Sequence, residues 1–129
     1  MLLVRRSSQN ARGAGEWELP GGRADNLLEL KAEALREILE ETGLKVDIVD
    51  CLGYLLEDAI TGKNFRARPF LSFLWLCESE QKTIELSDEH DEYRWVTYQE
   101  ALALDLSTRA QFILRGFKTE IIEFGVREN

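Results

Sequence analysis

The stretch that most restricts the fold is NLLELKAEALREILEETG, residues 26–43, where leucine and glutamate recur at helical spacing between two terminators. Asn26 followed three residues later by Glu29 resembles a capping box, and Gly43 stands where a helix C-terminus takes a residue of positive φ. The spacing predicts a helix from about residue 27 to about residue 42. At about 100° per residue, Glu29, Glu33, Glu37, Glu40 and Glu41 fall within an arc of roughly 120°. Leu27, Leu28, Ala32, Ala34, Leu35, Ile38 and Leu39 fall opposite, so the expectation is one core face and one carboxylate face.

Like charges at i,i+4, as in Glu29/Glu33, Glu33/Glu37 and Glu37/Glu41, each cost about a few tenths of a kcal/mol in a free helix. A surface helix normally dilutes such charge with lysine, yet here only Arg36 lies at the edge of the arc, while Lys31 falls on the other side. Two explanations stay open on charge alone. One is an ordinary solvated face. The other is a seat for a hard cation such as Mg²⁺, which takes carboxylate oxygens and completes its shell with water and substrate phosphates. Glu37, Glu40 and Glu41, at i, i+3 and i+4, can converge on one ion.

Around this helix, MLLVRR (1–6) reads as a buried strand and SSQNARGAGE (7–16) as a polar loop. KVDIVDCLGYLLED (45–58) and NFRARPFLSFLWLCES (64–79) are two β-rich runs that should pair antiparallel across AITGK. YRWVT (93–97) reads as another strand and YQEALAL as a short helix. STRAQFILRGFKTEIIEF (107–124) reads as one longer amphipathic helix with Ser107 or Thr108 as its N-cap. Without repeats or a linker, 129 residues of which 44% are hydrophobic imply a single α/β domain over residues 1–129.

The charge balance narrows the partners. With 16 basic against 24 acidic residues the net charge is −8, a field that repels polyanions, so no nucleic acid polymer is expected. An anionic small molecule stays admissible where a divalent cation inverts the local sign. Cys51 and Cys77 lack the number and spacing of a disulfide framework or zinc site, and are expected as buried, reduced thiols. No apolar run reaches about 18 residues, so no membrane span is expected and the protein is assigned to the cytoplasm.

Residues 22–44 resemble the Nudix box, whose pattern is Gly-x5-Glu-x7-Arg-Glu-U-x-Glu-Glu-x-Gly-U, with U aliphatic. Gly22 matches the first glycine, and Arg36-Glu37-Ile38-Leu39-Glu40-Glu41-Thr42-Gly43-Leu44 matches the second half in register. Trp17-Glu18-Leu19-Pro20-Gly21-Gly22, MLLVRR and YRWVTYQEAL resemble the family's flanking strands and turn, so the likeness covers most of the chain. It departs at Leu28, where the family has its first glutamate, and at Leu27, where a glycine is common. Either Glu29 supplies that carboxylate from a shifted helix start, or its role is absent.

The resemblance implies a Nudix fold, an α/β/α sandwich with a mixed β-sheet. It implies hydrolysis of a nucleoside diphosphate linked to another group X, by attack of water on a phosphorus of the pyrophosphate. Mg²⁺ is the implied cofactor, with Mn²⁺ as a substitute. Glu40 and Glu41 are the implied metal ligands, Glu37 is a third ligand or the base, and Arg36 orients the carboxylates. A backbone carbonyl of the turn, Gly21 or Gly22, is a further implied ligand, and Glu29 is the candidate replacement for the missing one. A catalytically weakened nucleotide-binding or regulatory domain is the alternative that Leu28 raises.

Some members place the base in a loop outside the box. Glu89 and Glu92 are the candidates by position, although a solvated acidic loop is the plainer assignment, and His90 is expected as a surface residue. Arg5, Arg6, Arg66 and Arg68 lie on or beside strands that could line the substrate cleft; Arg6, Arg66 and Arg68 are the candidate phosphate contacts. Trp17 and Phe65 could stack on a base, while Trp75 and Trp95 are assigned to core packing. Most members have a further strand before the one matched by MLLVRR. An altered sheet edge or an upstream start is therefore expected, and a homodimer would cover an unpaired edge.

Overall fold

The computed structural model describes residues 1–22, 24, 26–57 and 70–125. Leu3 and Val4 are both fully buried, which places strand β1 (Leu2–Arg6) between layers on its two faces. It is the middle strand of a three-stranded sheet. On one side β2 (Trp17–Glu18) pairs with it antiparallel, and on the other β5 (His90–Trp95) does the same. The edge of β2 is not bare. Trp17 N–H donates to Asp105 O and Ser107 N–H donates to Trp17 O, a parallel bridge centred on Trp17 and Leu106.

Strands β3 (Asp47–Glu57) and β4 (Phe70–Glu78) form the expected antiparallel pair. The expected α/β class is the one observed, but among the described residues its strands divide into two antiparallel sheets. The only parallel pairing described is the Trp17–Leu106 bridge.

The carboxylate helix begins as a 3₁₀ turn, Leu27–Glu29, and continues as α1 (Leu30–Thr42). Asn26 caps it by accepting from Leu28 N–H, two residues on, and Glu29 makes no side-chain bond back, so the cap is a single Asn26 contact and not the expected capping box. Gly43 closes the helix with φ 74° and donates to Leu39 O. The expected division into a core face and a carboxylate face holds only in part: Ala34 and Ile38 are half-buried and Glu40 is exposed. Glu41 is buried, whereas Leu28 is 96% exposed and Leu35 and Leu39 are exposed. Periodicity states which residues share a face, whereas the burial of Glu41 and Thr42 at the end of the helix depends on what packs there.

Helices α2 (Tyr98–Leu102), α3 (Thr108–Gly116) and α4 (Lys118–Gly125) build the main core. Thr97 and Glu100 form a reciprocal capping box on α2, and Ser107 caps α3. Leu114, Phe117 and Ile121 pack with Leu3, Trp17 and Ala101. The single helix expected over 107–124 is broken at Phe117, whose φ is −112°. Gly116 admits Leu55 so closely that a Cβ would stand 2.5 Å from its Cδ1, and the Phe117 ring lies where a Cβ of Gly53 would project, 2.9 Å from it. Burying Phe117 against β3 wins over one continuous hydrogen-bond ladder.

Two side-chain expectations fail on exposure. Cys51 is exposed and Cys77 half-buried rather than both buried, and both thiols are free; burial raises the pKa of Cys77. Trp95 is 53% exposed instead of core, while Trp75 stacks on Phe73 with centroids 6.0 Å apart.

Candidate active site

The Gly21-Gly22 turn meets α1 at its carboxylates. Gly21 has φ 149°, a conformation that side chains disfavour. Its N–H donates to Glu41 Oε2 at 2.7 Å. Gly22 lies against Glu37 so tightly that a Cβ there would stand 2.6 Å from Glu37 Cδ. The missing side chain is what lets main chain and carboxylate touch. Gly22→Ala is therefore expected to displace Glu37 and lower metal-dependent turnover about 10- to 100-fold, with an unchanged circular dichroism spectrum. Wild-type rates in that variant would remove the turn from the site.

Arg36 spans the carboxylate row. Its Nη2 lies 2.6 Å from Glu33 Oε2 and 3.0 Å from Glu37 Oε1, and its Nη1 lies 2.9 Å from Glu40 Oε1. The hydrogen bond to Arg36 lowers the pKa of Glu33, and those to Glu33 and Glu40 raise that of the guanidinium. Arg36 and Glu40 are exposed and Glu33 and Glu37 only half-buried, so the row orders side chains more than it stabilises the fold.

Glu41 is different in kind, being 5% exposed. Burial pushes its pKa up from 4.5 to about 7, against the opposing pull of the Gly21 hydrogen bond and of His90. His90, expected at the surface, is 4% exposed. Its Nε2 lies 2.9 Å from Glu18 Oε2 and its Nδ1 3.9 Å from Glu41 Oε1. The cause is a bulge. Arg5 pairs with Glu92 but Arg6 pairs with His90, so β5 spends one extra residue, Asp91, and His90 turns to the face opposite Glu92. Strict alternation along HDEYRW would have left His90 beside Glu92 and Arg94.

Glu37, Glu40 and Glu41 form one wall of a cleft of ≈ 360 Å³ whose other wall is Ser87, Asp88 and Glu89. That second wall is pinned by Ser7, whose hydroxyl donates to Asp88 O and whose N–H donates to Glu89 O. The structure thus separates the two loop candidates. Glu89 lines the cleft, while Glu92 is ion-paired with Arg5 and Arg94. Arg6 is occupied by Glu18, Asn10 and the Arg12 carbonyl. Arg66, Arg68 and Phe65 lie outside the described residues. Trp17 is buried, with Arg94 over its ring at 5.0 Å.

Glu29 is exposed at the end of the 3₁₀ turn, and among the described residues no side-chain hydrogen bond or ion pair ties it to the cluster. Helical rise alone separates it from Glu37 by about 12 Å. Glu29→Gln is accordingly expected to change turnover less than about twofold, measured beside Glu37→Gln; an equal loss in both would place Glu29 in the site. Glu18, His90, Ser87 and Asp88 are the members of this constellation that sequence reasoning missed. The one signal for them was a lone histidine set among carboxylates.

Comparison with known proteins bears on the family and the fold. The model of the NUDIX domain matches residues 1–116. The nucleoside triphosphatase NudI of Salmonella arizonae is 26% identical over 119 residues, covering 88% of this chain and 84% of its own. Among solved structures, a MutT protein from Methanosarcina mazei Go1 superposes with a TM-score of 0.68 at 28% identity, covering 99% of this chain and 83% of that one. A MutT NUDIX hydrolase from Burkholderia pseudomallei gives 0.65 at 25% identity, covering 88% and 84%.

Proposed function

Because this chain belongs to the Nudix family, and so to pyrophosphohydrolases acting on nucleoside diphosphate derivatives, we propose that it hydrolyses nucleoside triphosphates with Mg²⁺. Mn²⁺ is the proposed substitute. The observation that carries the proposal is the meeting of the Gly21-Gly22 turn with Glu37 and Glu41 on one wall of the cleft. The choice of triphosphates over ADP-ribose, nucleotide sugars and dinucleotide polyphosphates rests on the relatives named nucleoside triphosphatase.

The donor set fits a hard cation: Glu37, Glu40 and Glu41 offer carboxylate oxygens at the cleft, and Gly22 gives close access to the main chain. A divalent ion bound there supplies neutralisation of the bridging phosphates and of charge at the leaving oxygen. Arg36 holds Glu37 and Glu40 in one row, which fixes their oxygens before substrate arrives. Gly21 N–H orients Glu41 in the same way. Glu89 or Glu37 takes the proton from the attacking water, Glu89 from the opposite wall.

The test is phosphate or pyrophosphate release across those four substrate classes, with and without Mg²⁺, in a phosphatase-coupled assay. Metal-dependent release from triphosphates supports the proposal, and release from another class alone redirects the substrate. A second reading, a nucleotide-binding domain without turnover, is favoured by one observation: Leu28 stands 96% exposed where the family pattern has glutamate. Silence across the panel from protein that binds Mg²⁺ and nucleotide would establish it.

We place the protein in the cytoplasm; no helix among the described residues is long and apolar enough to cross a membrane. A homodimer belongs to the same proposal. Neither β3 nor β4 pairs with a further strand among the described residues, and Val49, Tyr54, Leu56 and Leu71 are exposed on them. Light scattering after size exclusion should give twice the chain mass, and a monomer would refute it.

A further inference from the structure

The carboxylate row suits a hard cation, but one donor beside it does not belong to that chemistry. His90 has its side chain 1% exposed, and its Nδ1 is buried without a hydrogen-bond partner. A carboxylate accepts and cannot donate, so the 2.9 Å contact between Nε2 and Glu18 Oε2 assigns the proton to Nε2. In the neutral ring Nδ1 is then a lone pair. It faces Glu41 Oε1 at 3.9 Å. Glu41 Oε2 is already taken by Gly21 N–H, which leaves Oε1 free to face the ring.

At 3.9 Å the two atoms stand too far apart for a hydrogen bond whichever of them carries a proton, so the buried Nδ1 stays unsatisfied unless an ion lies between them. The distance is one that an ion can span, at an angle wider than tetrahedral. Two ligand atoms about 2.1 Å from one metal stand roughly 3.0 to 4.2 Å apart as the angle at the metal opens from about 90° to 180°. Glu18 holds the other ring nitrogen, the arrangement in which a carboxylate fixes the tautomer of a metal-binding imidazole. Arg6 Nη1 in turn reaches Glu18 at 3.4 Å.

We propose that His90 Nδ1 and Glu41 Oε1 form a seat for a borderline divalent ion such as Zn²⁺ or Co²⁺, with Glu18 orienting the imidazole. Imidazole nitrogen suits such ions, whereas Mg²⁺ prefers an all-oxygen shell. The seat is thus chemically distinct from the Glu37/Glu40 row, although it shares Glu41 with the hydrolytic site and rests on Glu41 being a metal-binding carboxylate. Its consequence is selectivity: Zn²⁺ engages the ring and Mg²⁺ does not.

His90 is the only histidine in the chain, so the imidazole ¹⁵N spectrum of uniformly labelled protein has one spin system to assign. Without metal, Nδ1 should be unprotonated and Nε2 protonated. Stoichiometric Zn²⁺ should shift Nδ1 selectively, Co²⁺ should broaden it, and saturating Mg²⁺ should leave it in place. His90→Asn should weaken Zn²⁺ binding about 10- to 100-fold by calorimetry while Mg²⁺ affinity changes less than about threefold. Should that variant fail to fold, the wild-type spectrum decides alone. A proton on Nδ1 in the metal-free protein, or an Nδ1 unmoved when calorimetry shows Zn²⁺ bound, overturns the seat and leaves the Mg²⁺ hydrolase standing. Absence of binding by both ions overturns the seat and the hydrolytic proposal together. Because the spectrum is read without substrate, a protein that turns over no nucleotide but shifts Nδ1 with Zn²⁺ still supports the seat.

Discussion

Glu41→Gln is expected to lower Mg²⁺-dependent turnover by about 10²- to 10⁴-fold while the protein remains folded. Glu41 stands where the turn, the cleft and His90 meet, with Oε2 on the Gly21 amide and Oε1 toward the imidazole. Glutamine keeps an oxygen that can accept from Gly21, so the fold retains its tie between turn and helix. What disappears is the charge. Burial of that charge beside Glu37 and Glu18 opposes ionisation, so the neutral variant should match or exceed wild type in metal-free stability at neutral pH. Glu40→Gln should lose comparable activity for a different reason, since Glu40 is exposed and held by Arg36. Near wild-type rates in both variants would overturn the metal-ligand assignment.

Metal-free protein should become less stable as the pH is raised from about 5 to about 7.5. Glu41 keeps its proton in the folded state up to about 7, whereas its ordinary value is 4.5. Between these values the folded chain binds the extra proton, so stability falls as pH rises and is fully present only below the lower value. Saturating Mg²⁺ should reverse the trend above pH 7, because a bound cation favours the ionised carboxylate. The measurement is thermal unfolding at fixed ionic strength, with and without metal. Glu41→Gln is the control, and its melting temperature should lose most of the slope. Equal slopes in wild type and variant would show that Glu41 is not the buried titrating group.

Much of the fold was legible because it is specified locally. Asn26, Gly43, Thr97 and Ser107 act through bonds to near neighbours in the chain, and the strand runs announced themselves by β-branched and aromatic content. Boundaries failed where a distant partner intervened. The helix expected over 107–124 breaks because Phe117 and Gly116 pack against β3, although the apolar period continues through the break.

The candidate site divides along the same line. Arg36, Glu37 and Glu40 sit within two turns of one helix, so their mutual contacts follow from spacing. Their separation from Leu28, Leu35 and Leu39 was legible as well. Which residues on either side would be covered was not, because helical period carries no information about what lies opposite.

By itself, then, the sequence determined an α/β chain, a terminated helix with its carboxylates in one row, and a glycine turn placed to meet them. Only the tertiary structure decided that Glu41 is buried, that Glu89 rather than Glu92 lines the cleft, and that His90 lies between two carboxylates. The first set depends on bonds and spacings within a few residues. The second depends on a one-residue bulge in β5 opposite β1 and on a backbone amide from the turn, which are settled only when distant segments pack together.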